Sequence, residues 1–138
     1  MNFIQVTEYG KIELFSSSSS LENLNSIKSH YSGTLIEIEE DNLNTDLYYW
    51  NNGLVEKPIK PSPHHVFNYD TKMWVLDNDA AWIAVRTQRD ALLASTDWTT
   101  LPDVPFNEET RNSWLVYRQA LRDVTNQVDP LAIVWPIR

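Results

Sequence analysis

The 138-residue chain contains no cysteine. Neither a disulfide framework nor a thiolate metal site is therefore available to it, and its fold is indifferent to redox compartment. Glycine is nearly as scarce, with Gly10, Gly33 and Gly53 the complete set. That excludes the glycine-rich oxyanion loop of a hydrolase. Basic residues are outnumbered, eleven against nineteen acidic, and the net charge of −8 repels phosphate backbones and anionic lipid surfaces. No segment approaches the roughly 20 apolar residues that a bilayer crossing needs, and Met1-Asn2-Phe3-Ile4 leads into an alternating pattern without a basic region. The expectation is a soluble protein made in the cytoplasm that binds neither nucleic acid nor membrane.

Aromatic residues are abundant instead. Six Trp, six Tyr and four Phe exceed what a core of this size accommodates, so some are expected to face a partner. Basic residues are also segregated. Lys11, Lys28, Lys57, Lys60 and Lys72 all precede residue 78, whereas Arg86, Arg89, Arg111, Arg118, Arg122 and Arg138 all follow it. Five basic against eleven acidic residues leave −6 on 1–77, and six against eight leave −2 on 78–138. Guanidinium groups form planar forked hydrogen bonds and stack on aromatic rings, so an Arg-only segment rich in Trp and Tyr suits interface work. Codon or lineage bias is the alternative.

The pattern predicts an α+β chain in three parts: a β-hairpin-rich N-terminal module with one short helix (1–57), a proline connector and hairpin (58–77), and a two-helix hairpin with an aromatic, proline-bound loop and an extended tail (78–138). Phe3–Tyr9 and Lys11–Phe15 alternate around Gly10 as a hairpin. Ser16–Ser20 marks a turn, with Ser20 the cap of a helix over Leu21–Tyr31 that Gly33 ends. Thr34–Glu39 alternates as a strand. Leu47–Trp50 and Leu54–Lys57 flank Asn51-Asn52-Gly53, where Asn-Gly suits the positive φ angles of a type I′ turn. Pro58, Pro61 and Pro63 give an extended connector, and His65–Phe67 and Met73–Leu76 form a second hairpin. Asn78 or Asp79 caps a helix to about Ala94 bearing Trp82, Val85, Leu92 and Leu93. Pro102 and Pro105 interrupt, and Asn107 caps a second helix opening with Glu108-Glu109. Its apolar stripe is Trp114, Tyr117, Leu121 and Val124, with Arg111, Leu115, Arg118 and Arg122 on the neighbouring stripe. Leu131–Trp135 is extended, either returning to its own fold or offered as an edge.

Catalytic arrangements do not emerge. Adjacent strand residues His64 and His65 point to opposite faces and cannot share a metal. Ser62, His64 and Asp70 are triad residue types without an elbow. Glu37, Glu39, Glu40 and Asp41 lack calcium-loop spacing. A glycan-cleaving enzyme would need carboxylates such as Glu37, Glu39 and Asp46 to converge in a groove. The expectation is a non-enzymatic protein without cofactor or metal. The loop from Asp97 to Phe106 either plugs the helix hairpin with Trp98, Leu101 and Phe106, while Asp97 and Asp103 cap amides, or presents a stiff anchor to a partner. Arg118 and Arg122 either pair internally, for example with Asp97 or Asp103, or reach across an interface.

The strings Thr96-Asp97-Trp98-Thr99-Thr100-Leu101-Pro102-Asp103 and Trp114-Leu115-Val116-Tyr117-Arg118-Gln119-Ala120-Leu121-Arg122-Asp123 resemble the bacteriophage tail assembly chaperone family, over about Arg86 to Pro136. Pro61–Phe67 with Trp74 resembles a segment of phage tail fibre assembly proteins, and residues 1–57 have no counterpart. The resemblance implies a protein that binds a tail fibre subunit, covers its adhesive surfaces and helps three chains form a trimer, with several copies per fibre. It would act in the host cytoplasm, and some such proteins stay in the virion. The partner-binding residues it implies are Trp98, Leu101, Pro102, Phe106, Trp114, Tyr117, Arg118, Arg122 and Trp135. The alternative is a structural subunit of the fibre tip or baseplate that carries the same docking module.

Overall fold

A computed structural model describes residues 2–17 and 33–138. Its α+β architecture divides into two compact units, Met1–Val75 and Leu76–Arg138. The expected helix over Leu21–Tyr31 lies outside the described residues.

Among the described residues the first unit contains three small sheets. Strands β1 (Asn2–Val6), β2 (Ile12–Ser17) and β3 (Thr34–Ile38) form one in the order β2-β1-β3, with β1 antiparallel to both neighbours. Ile4 lies opposite Phe15 on one side and Ile36 on the other. The buried cluster Ile4, Val6, Ile12 and Ile38 is completed by Phe15, Ile36, Leu43, Tyr48, Trp50 and Leu54 packing against it. Phe3 and Gln5, on the opposite face of β1, are buried as well, so this central strand is covered on both sides instead of alternating in and out. β2 continues through Ser17, so Ser16 and Ser17 belong to the strand and not to the expected Ser16–Ser20 turn, whose other residues lie outside the described ones.

Gly10 shows why the first hairpin needs a glycine. Its φ is +83°, in the left-handed region, and its carbonyl accepts the Trp50 amide at 2.9 Å. An added Cβ would run into the Trp50 carbonyl oxygen. Lys72 Nζ donates to the Tyr9 and Tyr69 carbonyls beside this junction. The turn backbone thus docks directly on β4 (Tyr48–Trp50).

Strands β4 and β5 (Leu54–Glu56) pair antiparallel, with Trp50 opposite Leu54. The hairpin forms as expected but not its type I′ turn. Asn51, Asn52 and Gly53 make a three-residue loop in which Asn52, at φ +54°, takes the left-handed conformation and Gly53 does not. Asparagine tolerates that conformation through its short polar side chain, so the glycine is not required for it. Strands β6 (His65–Asn68) and β7 (Met73–Leu76) form the third sheet. Its turn is organised by Asn68, whose Oδ1 accepts the amides of Asp70 and Thr71 at 2.9 and 3.0 Å.

The second unit holds helices α1 (Asn78–Ser95) and α2 (Glu108–Asp123), with short 3-10 turns at Asp97–Thr100 and Val124–Asn126. Asp77 caps α1, not Asn78 or Asp79, by accepting the Ala80 amide at 3.0 Å. Asn107 caps α2 as expected, accepting the Thr110 amide at 2.7 Å. The buried centre is Ala81, Val85, Leu121 and Val124, and Arg118 is buried with them. Among the described residues no helix is long and apolar enough to cross a membrane.

Replacing Gly10 by Ala combines left-handed strain with a backbone collision. A loss of at least about 2 kcal/mol is expected. Urea denaturation of G10A followed by near-ultraviolet circular dichroism checks this, and an unchanged midpoint contradicts the account of the turn.

Candidate docking site

Helix α1 ends with its last carbonyls exposed to the problem every helix has: no further turn satisfies them. Its final turn carries no basic residue to offset the dipole. The hydroxyl of Thr96 bonds the Leu92 and Leu93 carbonyls, at 3.1 and 3.0 Å. The missing cation comes from α2. Arg118 Nη1 donates to the Leu93 carbonyl at 2.8 Å and to Thr96 Oγ1 at 2.6 Å, while Nη2 meets Asp97 Oδ1 at 2.7 Å. The Arg118 side chain is 8% exposed and that of Asp97 67%, so the pair is buried at one end only.

Arg118 and Asp97 take the internal pairing, and Asp97 binds the guanidinium instead of capping an amide. Arg118 also lies on the buried face of α2, not on the flanking stripe. Its guanidinium is committed within the unit, which places it beneath the surface and not on it. Arg111 does similar work about two turns earlier, donating to the Leu101 and Val104 carbonyls at 3.5 and 3.0 Å. Arg111 therefore holds the loop by its backbone, and Arg118 ties the loop's first residue, through the Asp97 carboxylate, to the end of α1. The 3-10 turn between them carries its own lock, since Thr99 and Thr100 hydroxyls bond the carbonyls of Thr96 and Asp97, both at 2.7 Å.

On this scaffold the rings form a continuous row. Phe106 and Trp98 are 5.7 Å apart between centroids, Trp98 and Trp114 6.0 Å, and Trp114 and Tyr117 6.0 Å, the last two edge to face. Such pairs add about 0.5–1.5 kcal/mol each beyond area burial. Phe106, Trp114 and Tyr117 are half-buried, whereas Trp98 and Leu101 are each 50% exposed. The loop thus plugs the hairpin with part of its aromatic surface and presents the rest. Pro102 and Arg122 are exposed, and Trp135 is half-buried.

Beside this row the outward side of α2 is unusual in an acidic protein. Its exposed positions from 112 to 119 are Asn112, Ser113, Leu115, Val116 and Gln119, all uncharged, and Val116 is 70% exposed. The segment after α2 forms no strand. It has no regular secondary structure and returns to its own unit, where the Arg138 guanidinium lies 3.6 Å from the Trp114 ring centroid. Gln127 was not singled out by pattern, yet its side-chain amide bonds both backbone groups of Val134, at 2.9 and 3.0 Å.

The first unit has an aromatic groove of about 700 Å³ lined by residues including Asp46, Glu56, Lys57, Phe67, Tyr69 and Trp74. Its rings are already engaged by the fold. Lys57 lies over Phe67 and Tyr69 while donating to Asp46 O and Tyr69 Oη, and the Trp74 indole donates to Pro58 O at 2.7 Å. Glu37 and Glu39 line a different recess from Asp46. Ser62 Oγ lies 2.8 Å from Nδ1 of His65, not His64, a contact within one local turn. Among the described residues no three potential metal ligands cluster.

Residues 82–138 match the family model described as phage tail assembly chaperone protein. The C-terminal unit thus carries this family's signature, over the span where the sequence resemblance lies, and the Pro61–Trp74 segment falls outside the match. No curated protein and no solved structure matches the chain. The family match points to an assembly role and a tail protein as partner, not to catalysis.

Truncating the buried arginine removes charge-assisted bonds from three acceptors, whereas neutralising Asp97 touches only an exposed end. Arg118→Leu is expected to lose about 2–4 kcal/mol and Asp97→Asn no more than about 1 kcal/mol. Urea titration of the helical signal at 222 nm distinguishes them, and equal losses contradict the assignment of Arg118 as the anchor.

Proposed function

We propose, on the premise that residues 82–138 are a tail assembly chaperone module, that the protein binds a tail fibre subunit and assists its folding, trimerisation or attachment. The observation that carries this reading is the uncharged outward side of α2, Asn112 to Gln119, beside the half-exposed Trp98 and Leu101. Fibre chains expose apolar faces and unpaired strand edges before they trimerise, and such surfaces aggregate. A rigid aromatic and apolar surface covers them at low ordering cost, because the bonds from Arg111 to the Val104 carbonyl and from Arg118 to the Asp97 carboxylate fix the loop beforehand. The net charge of −8 keeps the pair soluble. Trp98, Leu101, Pro102 and Leu115–Val116 are the contacting residues, with Phe106, Trp114 and Tyr117 as their backing. Several copies per trimeric fibre, acting in the host cytoplasm, fit this role.

Coexpression with the fibre subunit tests it. Soluble trimer is expected to rise severalfold with the wild-type chain. Val116→Asp is expected to abolish that rise while leaving thermal stability within about 0.5 kcal/mol of wild type, as for other surface changes. Equal trimer yield with and without the chain contradicts the proposal. Mass spectrometry of purified particles then separates a departing helper from a retained subunit.

A further inference from the structure

Five exposed residues of α2 fall in one narrow stripe. Glu108, Asn112, Leu115, Gln119 and Arg122 follow one another at intervals of four, three, four and three, so at about 100° per residue they share an arc of roughly 80° on the side away from the buried Leu121. That spacing is the seam of a paired helix. Within their own unit these side chains have little to do. Gln119 Nε2 donates to both carboxylate oxygens of Asp123 at 3.2 Å, whereas Arg122, unlike Arg118, enters no ion pair among the described residues. Leu115 is 53% exposed, and Val116 on the flank of the stripe 70%.

Reversed, the stripe is its own complement. Acid, amide, leucine, amide and base meet base, amide, leucine, amide and acid when a second copy of α2 lies antiparallel across it. A two-fold axis at Leu115 sets Glu108 against Arg122, Asn112 against Gln119 and Leu115 against its own counterpart, as an isologous contact requires. Opposite charges then meet at both ends. Glu109 adds a second carboxylate near Arg122, while Asp123 is already held by Gln119. A parallel copy would instead bring like charges together, and only the antiparallel one sets each helix end beside the opposite pole of its neighbour. The contact is also short. Sixteen residues of helix extend about 24 Å, and one helix pair of that length buries less than the roughly 1,200–2,000 Å² of a standard interface. Such an area sustains a weak, reversible dimer.

We propose that α2 pairs with the α2 of a second copy of this chain, antiparallel about Leu115, and that this homodimer covers Leu115 and Val116 until a fibre subunit takes the second copy's place. The free chain thereby hides its own apolar contacts. Arg122 supplies the orientation, Asn112 and Gln119 pair their amides beside the centre, and Leu115 with Val116 supplies the apolar area. The pairing stands on the stripe alone, whereas its release by a fibre subunit rests on the function proposed above.

The chain has no native cysteine, so single thiols introduced into the full-length protein report the geometry without background. Under mild oxidation L115C is expected to cross-link with itself. N112C and Q119C are each expected to cross-link poorly alone and several times faster when mixed, because an antiparallel pair brings position 112 of one chain to position 119 of the other. Q88C, exposed on α1, measures random collision. Sedimentation equilibrium is expected to give a dimer with Kd on the order of tens of micromolar. Arg122→Glu is expected to weaken it at least about tenfold, and an equimolar mixture of R122E with E108R/E109R to restore it, since opposite charges then meet at both ends. Circular dichroism verifies that each variant is folded. N112C alone cross-linking as fast as the mixture, rates no greater than that of Q88C, or a wild-type chain that stays monomeric well above that concentration overturns the proposal. Added fibre subunit is expected to suppress the 112–119 cross-link, and a cross-link unchanged at saturation overturns the release. Failed cross-linking with a rise in trimer yield removes the pairing alone, and cross-linking without that rise removes the fibre role alone.

Discussion

A positive charge with its charged end inside the protein is the constraint around which the C-terminal unit is arranged. Desolvating a guanidinium is costly unless acceptors replace the lost water. Arg118 finds them in the Leu93 carbonyl, the Thr96 hydroxyl and the Asp97 carboxylate. These acceptors belong to the end of one helix and the start of the next turn, so satisfying the charge also sets where α1 stops and how the chain leaves it. Trp98, next in sequence to Asp97, is thereby aimed at Trp114, and the row of rings follows. The Arg118 Nε is buried without a partner, which shows that the arrangement favours the forked end over complete satisfaction.

The same economy explains why the loop is stiff without being buried. Arg111 grips loop carbonyls, Arg118 binds the Asp97 carboxylate and the end of α1, and the threonine hydroxyls grip further carbonyls. The backbone is fixed from beneath, while Trp98 and Leu101 keep half of their surface in water. An isolated aromatic loop would lose conformational freedom on meeting a partner, whereas here most of that loss has been taken in folding.

Much of this was legible in the residues. Asn107-Glu108-Glu109 after Pro105 announced α2, and the spacing of Trp114, Tyr117, Leu121 and Val124 announced its buried face. Arg118 sits four residues after Trp114 and three before Leu121, so periodicity alone placed it inside; its charge suggested the flank. Its acceptors are 21 to 25 residues away, beyond any local pattern. The shift of the first cap to Asp77 and of positive φ from Gly53 to Asn52 are one-residue matters that propensity does not resolve. Gln127 was illegible for a different reason: glutamine is ordinary on a surface, and only the return of Val134 gives its amide a task. Burial of both faces of β1 was hidden because alternation there looked like a one-sided strand.

The seam between Val75 and Leu76 has an architectural consequence. The Ile4 cluster draws no residue from 76–138, and every acceptor of Arg118 comes from that stretch. Genetic recombination at this joint would graft a different front half onto the helical half without disturbing either set of internal bonds. Two units with separate internal bonds can be exchanged as whole pieces, where a single shared core would demand many compensating changes.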